Sequence, residues 1–132
     1  IEKRRMGNVD KSEVLNLIGS VQGSPAILVD DEIDTAGSIT QAARVCIENG
    51  ATEVYACCTH GILSGPAIDR LQASPIREIV ATNTVAIPMT KQIDKLTILS
   101  VGRLIGETIQ RIHTGASVSL TYRSVDRVVS GR

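Results

Sequence analysis

The chain has no tryptophan, no phenylalanine and only two tyrosines in 132 residues. That scarcity removes the stacking platform on which single-stranded nucleic acids bind. Net charge is missing too: Lys plus Arg number 14 and Asp plus Glu number 14, with a pI near 6.9, so nothing attracts the chain as a whole to a polyanion. No apolar run approaches the length of a transmembrane helix, and the amino end lacks the apolar core of a secretion signal. The expectation is a soluble, cytoplasmic protein with no nucleic-acid or membrane partner. Cysteines are few and odd in number. Cys46, Cys57 and Cys58 lie inside apolar segments, Cys57 and Cys58 would make a strained pair, and no second Cys/His cluster completes a zinc site, so all three read as reduced.

What is present suits one compact core, since 42% of the residues are hydrophobic. The chain opens on Ile1 and a basic run, and reads as a piece of something longer. Punctuation along it alternates in a strand–helix rhythm. Strands are expected over 14–18, 26–29, 53–58, 76–81 and 96–99, and helices over 39–48, 66–72 and 101–113. Gly50 is placed to end the first helix, and residues 82–94, polar and interrupted by Pro88, read as loop. Strands separated by helices imply an α/β fold of three layers, a mostly parallel, doubly wound sheet flanked by helices.

Residues 26–38 carry the most chemistry. Ala26 to Val29 is apolar and partly β-branched, as expected of a strand covered on both faces. Carboxylates follow at its C-terminal end, the edge where open α/β sheets bind ligands. The small residues Asp34, Thr35, Ala36, Gly37 and Ser38 then open a helix whose unsatisfied N–H groups and dipole favour an anion. Thr35 and Ser38 add hydroxyls, and Gly37 allows close approach of the main chain. Asp30 and Asp31 repel phosphate, so they suit ribose hydroxyls, directly or through Mg²⁺. Plainer readings make Asp34 an N-cap and the aspartate pair a solvated strand end. A calcium loop counted from Asp30 needs Gly where Thr35 stands, and the DDxxD spacing of Asp30, Asp31 and Asp34 belongs elsewhere to long helices.

Val29 to Ile39 (VDDEIDTAGSI) resembles the ribose 5-phosphate loop of type I phosphoribosyltransferase folds. Further stretches are similar to the ribose-phosphate pyrophosphokinase family: Lys3 to Arg5, Glu48 to Gly61, Leu63 to Ala67 (LSGPA), Ser100 to Gly102, and Ser117 to Ser119. The resemblance reaches to about Tyr122. It implies that residues 1–12 are the remnant of a mobile catalytic loop and that 13–122 form a C-terminal phosphoribosyltransferase-like domain. Residues 123–132 would be a tail, and an N-terminal domain lies outside this chain. It further implies transfer of the ATP diphosphate to ribose 5-phosphate, with Mg²⁺, for nucleotide biosynthesis. In that picture Lys3 and Arg5 close over the transferred group, residues 34–38 with Asp30 and Asp31 bind the sugar phosphate, and Asp30 and Asp31 are candidate metal ligands. Ser117 and Ser119 would belong to a regulatory site for ADP or phosphate in a homo-oligomer, a hexamer by family resemblance. The adenine pocket is expected outside this chain, so the isolated piece is expected to be inactive. Two other readings stay open: a nucleobase phosphoribosyltransferase, and a non-catalytic regulatory homologue associated with the synthetase. His60, at the same sheet edge, reads as a hydrogen-bonded loop residue, and His113 as a cation at a helix C-terminus.

Overall fold

A computed structural model describes the backbone of residues 2–5, 13–119 and 121, and the side chains of residues 17–119 and 121. These fall into two compact units, residues 1–99 and residues 100–132. In the first, β1 (Glu2–Arg5) and β2 (Glu13–Asn16) pair antiparallel, with Lys3 opposite Leu15 and Arg5 opposite Glu13. The stretch read as a loop is therefore strand over Glu2–Arg5. The apolar segment 14–18 is strand only as far as Asn16.

The main sheet follows in chain order. β3 (Ala26–Ile33) leads to α1 (Gly37–Glu48), β4 (Val54–Gly61) to α2 (Ala67–Gln72), and β5 (Ile76–Thr82) through a 3₁₀ turn at Met89–Lys91 to β6 (Leu96–Leu99). The four strands lie in the order β3-β4-β5-β6, every pair parallel. An α/β fold with a parallel sheet and crossover helices is thus what the sequence rhythm predicted. Because the order advances in one direction, right-handed crossovers place the connecting helices on one face. There Ile39, Ala43 and Cys46 of α1 and Ala67 and Leu71 of α2 join Val54, Ala56, Ile76 and Ile79 in the core.

The expectation that β3 is buried on both faces fails. Ala26 is buried, but Ile27 is 68% and Val29 77% exposed. No reversal of strand order occurs among the described strands, so neither α1 nor α2 reaches the face those residues occupy.

Element ends also shift. β3 runs through Asp30 and Glu32 because these still pair with Cys58 and His60 of β4, so the ladder outweighs the poor strand propensity of acidic residues. Asp30 and Asp31 thus belong to the strand and not to the loop after it. β4 likewise absorbs Thr59, His60 and Gly61, and α1 starts at Gly37 and not at Ile39. At the far end of α1, Gly50 is left-handed with φ 87°, its N–H reaching Ile47 O at 2.9 Å while Ala51 N–H reaches Cys46 O at 3.0 Å. That pair of bonds is a Schellman cap.

In the second unit α3 (Gly102–His113) carries Arg111 and His113 in its last turn, complementing the dipole. Leu104, Ile105, Ile109 and Ile112 on this helix are exposed. The alternation over 117–122 predicted an edge strand. Instead Thr121 N–H donates to Val118 O at 2.9 Å, a local bond that curls the backbone into a turn where a strand would extend it. Leu120, Tyr122 and the tail expected over 123–132 lie outside the described residues.

Candidate functional site

Between β3 and α1 the chain turns through Asp34, Thr35 and Ala36, and the carbonyls of this turn are held from behind. Ile33 O accepts from the N–H groups of Ile62 at 3.1 Å and Leu63 at 3.0 Å, and Asp34 O accepts from Ser64 N–H at 3.0 Å. Thr35 O accepts from Arg70 Nη1 at 3.0 Å. Ala36 O accepts from Thr40 N–H at 3.3 Å and from the buried Thr40 Oγ1 at 2.7 Å. In a trans peptide the carbonyl and the next N–H point opposite ways, and the described chain has no cis bond. The amides of Asp34, Thr35, Ala36 and Gly37 are therefore directed away from these anchors. Among the described residues no hydrogen bond engages the N–H groups of Thr35 to Ser38. Successive free amides at the positive end of a helix form a concave anion receptor.

Gly37 was expected to supply the conformational freedom here, but the left-handed residue is Ala36. Ala36 is left-handed at φ 59° and 4% exposed, and across the contact Leu63 is left-handed at φ 53° and 1% exposed. Such a conformation costs an L-residue about 1–2 kcal/mol, and strain of this kind gathers at functional sites. Gly37 lies within the first turn of α1, where an added Cβ would meet Arg70 Nη1 at 3.5 Å, an ordinary contact.

Residues 30–39 line a cavity of about 240 Å³. Asp30 Oδ1 accepts Asp31 N–H and Asp31 Oδ1 accepts Glu32 N–H, each at 2.9 Å. Both carboxylates are exposed and line this cavity together. Among the described residues no group of three His, Cys, Asp or Glu could hold a metal ion. Asp34 is a brace: its Oδ1 accepts a hydrogen bond from Ser64 Oγ. Beneath the edge, Cys58 is buried and its thiol pKa is raised, chiefly by desolvation.

His60, in register with Glu32, bonds through Nδ1 to Thr84 Oγ1 at 2.9 Å. Lys3 and Arg5 lie on β1, and their side chains fall outside the described residues. In the second unit Ser117 Oγ and Ser119 Oγ are 2.8 Å apart, and Arg111 Nη1 reaches Ser117 O at 3.4 Å. Sequence reasoning missed Ser64 and Arg70 as parts of the site. The signal available was a Gly-Pro turn, Gly65 and Pro66, starting a helix with an arginine one turn in.

The fold defines a class, α/β domains with a loop and helix start at the C-terminal edge of a parallel sheet, the edge where open sheets of this kind bind ligands. Within that class the chain belongs to the phosphoribosyl synthetase-associated domain family, which it matches over residues 5–123. It is 56% identical over 122 residues to the ribose-phosphate pyrophosphokinase of Bacillus cereus and 51% identical to that of Bacillus subtilis. In each case the match takes in 92% of this chain and 38% of the relative, so the chain spans well under half the length of these proteins. A solved structure, phosphoribosylpyrophosphate synthetase from Mycobacterium smegmatis, is similar with a TM-score of 0.73 and 40% identity over 75% of this chain and 33% of that one. No helix among the described residues is long and apolar enough to cross a membrane.

Proposed function

We propose that this chain is the ribose 5-phosphate-binding part of an enzyme that moves the β,γ-diphosphate of ATP to the sugar's 1-hydroxyl. The products are 5-phosphoribosyl 1-diphosphate and AMP, feeding cytoplasmic nucleotide biosynthesis. The observation that carries this reading is the row of free amides from Thr35 to Ser38, facing away from carbonyls that are all held. In this reading those amides, with the hydroxyls of Thr35 and Ser38, grip the 5-phosphate, and Asp30 and Asp31 take ring hydroxyls from the neighbouring strand end. Asp34 acts through Ser64 to keep the turn in place.

The hydroxyl oxygen at C1 attacks the β-phosphorus, the bond to the α-phosphate oxygen breaks, and AMP leaves with that oxygen while the hydroxyl proton is lost. Lys3 and Arg5 supply the point charge and planar fork that neutralise the transferred group. The contribution of residues 30–38 is positioning by binding far from the reacting atom. Asp30 and Asp31 are the residues that would hold the expected Mg²⁺, an ion that keeps several waters and needs only one or two protein carboxylates. Ser117 and Ser119 are proposed as part of an ADP or phosphate site in a homo-oligomer.

Calorimetry of this chain with ribose 5-phosphate and with ribose tests the binding role. Binding of the phosphorylated sugar and not of ribose is expected, and equal affinity for both refutes the assignment. In the full-length protein, AMP release from ATP and ribose 5-phosphate supports the transfer reaction. Assembly without AMP release supports the regulatory homologue, and base-dependent consumption of the product supports the nucleobase transferase.

A further inference from the structure

Three of the four carbonyls in the turn are held by main-chain groups or by a residue of its own helix. The anchor of the Thr35 carbonyl differs, because it is the side chain of Arg70, 35 residues away on α2, at 3.0 Å. The Thr35 carbonyl and the Ala36 N–H share one peptide plane, so whatever holds the first aims the second. Main-chain anchors persist whatever the side chain. This one depends on the identity of a single exposed residue. Ala36 sits in the left-handed region at φ 59°, so no intrinsic preference of alanine keeps that plane where it is. The guanidinium also lies over the first turn of α1, 3.5 Å from where a Cβ on Gly37 would be.

We infer that Arg70 is a positioning residue for the phosphate end of the ligand: by holding the Thr35 carbonyl it aims the Ala36 amide into the cavity lined by residues 30–39. The inference rests on the proposed sugar-phosphate role of that cavity. Its effect is confined to the 5-phosphate, which is remote from the reacting hydroxyl. Loss of the arginine therefore weakens ground state and transition state alike, raising KM with kcat unchanged. Lysine reaches less far and lacks the fork, but it keeps a donor and a charge.

The test uses ¹⁵N-labelled 132-residue chain as wild type, Arg70→Met and Arg70→Lys, titrated with ribose 5-phosphate and with ribose. Wild-type binding of ribose 5-phosphate examines the underlying function and comes first; its failure sinks that reading whatever the variants do. Given wild-type binding, Arg70→Met is expected to weaken ribose 5-phosphate about tenfold, the effect of one lost hydrogen bond at an organised site. Any residual affinity for ribose should be untouched. The Ala36 amide signal should move in the free variant while amides of β4 and β5 stay in place, and Arg70→Lys should recover part of the affinity. Equal affinity in wild type and Arg70→Met, or an Ala36 signal that does not move, overturns the inference. A variant whose core amides also shift assigns Arg70 to fold maintenance and overturns it as well.

Discussion

The chain leaves its parallel sheet twice side by side, after β3 and after β4, with similar small polar residues and opposite results. After β3 the carbonyls of Ile33, Asp34, Thr35 and Ala36 are all engaged, while the amides of Thr35 to Ser38 have no partner among the described residues. At the end of β4 the polar groups satisfy each other. Thr59 O accepts from Thr82 Oγ1 at 2.7 Å and from Thr84 Oγ1 at 2.9 Å, Thr84 N–H donates to Thr82 Oγ1 at 3.2 Å, and His60 Nδ1 meets Thr84 Oγ1 at 2.9 Å. Packing closes that exit too, since a Cβ on Gly61 would stand 3.0 Å from Ile87 Cδ1. The difference lies in which groups are used up. At the first exit only the carbonyls are engaged, so the amides on the same peptide planes stay available. At the second, hydroxyls from the end of β5 occupy Thr59 O and the ring of His60, so the side-chain donors there are spent inside the protein.

The strongest way to break this comparison is to remove the backbone conformation on which the first exit depends. Ala36→Val places a β-branched side chain at a buried left-handed position, and should cost about 3 kcal/mol from strain and overpacking, with loss of ribose 5-phosphate binding. Ala36→Gly, which accepts that conformation freely, should keep both. Urea denaturation and calorimetry on the pair decide it; an unchanged midpoint for the valine variant would show that the turn relaxes without consequence.

A smaller effect is expected at the second exit. Thr84→Val hands the exposed ring of His60 and one acceptor site on Thr59 O over to water and should destabilise by about 0.5–1 kcal/mol. Sugar-phosphate affinity should not change. A large affinity loss in this variant would mean that the β4 exit takes part in binding and that the contrast is false.

The smallest effect concerns two buried cysteines, Cys46 in the last turn of α1 and Cys58 on β4. Burial raises the thiol pKa of Cys46 and Cys58 above the ordinary value of 9.0. A raised folded-state pKa means the folded protein holds its proton more tightly than the unfolded chain. The stability contribution is therefore complete below about pH 9 and declines as pH rises through the folded values. Denaturation midpoints should fall as pH rises above about 9, less so in Cys58→Ala. A flat profile would place these thiols in water.

Much of this was legible in the sequence. The β-branched run before Asp30, the small residues up to Ser38 and the helical spacing from Ile39 announced a strand, a turn at the C-terminal edge of the sheet and a helix, and Gly50 announced the helix end. The ends of elements were not legible, because Asp30, Asp31 and Glu32 have poor strand propensity and remain in β3 only through pairing with β4. Nor was the exposure of Ile27 and Val29, since an apolar run reads as buried whether or not the strand order reverses. The left-handed Ala36 was hidden because glycine at 37 is the residue that local rules favour for that role. Ser64 and Arg70 were hidden because only the tertiary fold brings residues 62–70 behind residues 33–36.

Held carbonyls are proposed to leave the amides of Thr35 to Ser38 free to grip a phosphate. A crystal structure of the chain grown with saturating ribose 5-phosphate tests it most directly. The account predicts the 5-phosphate oxygens within hydrogen-bond distance of those N–H groups, with Arg70 still on the Thr35 carbonyl. A sugar phosphate bound at any other place, or an empty turn whose amides have rotated onto protein acceptors, would contradict it.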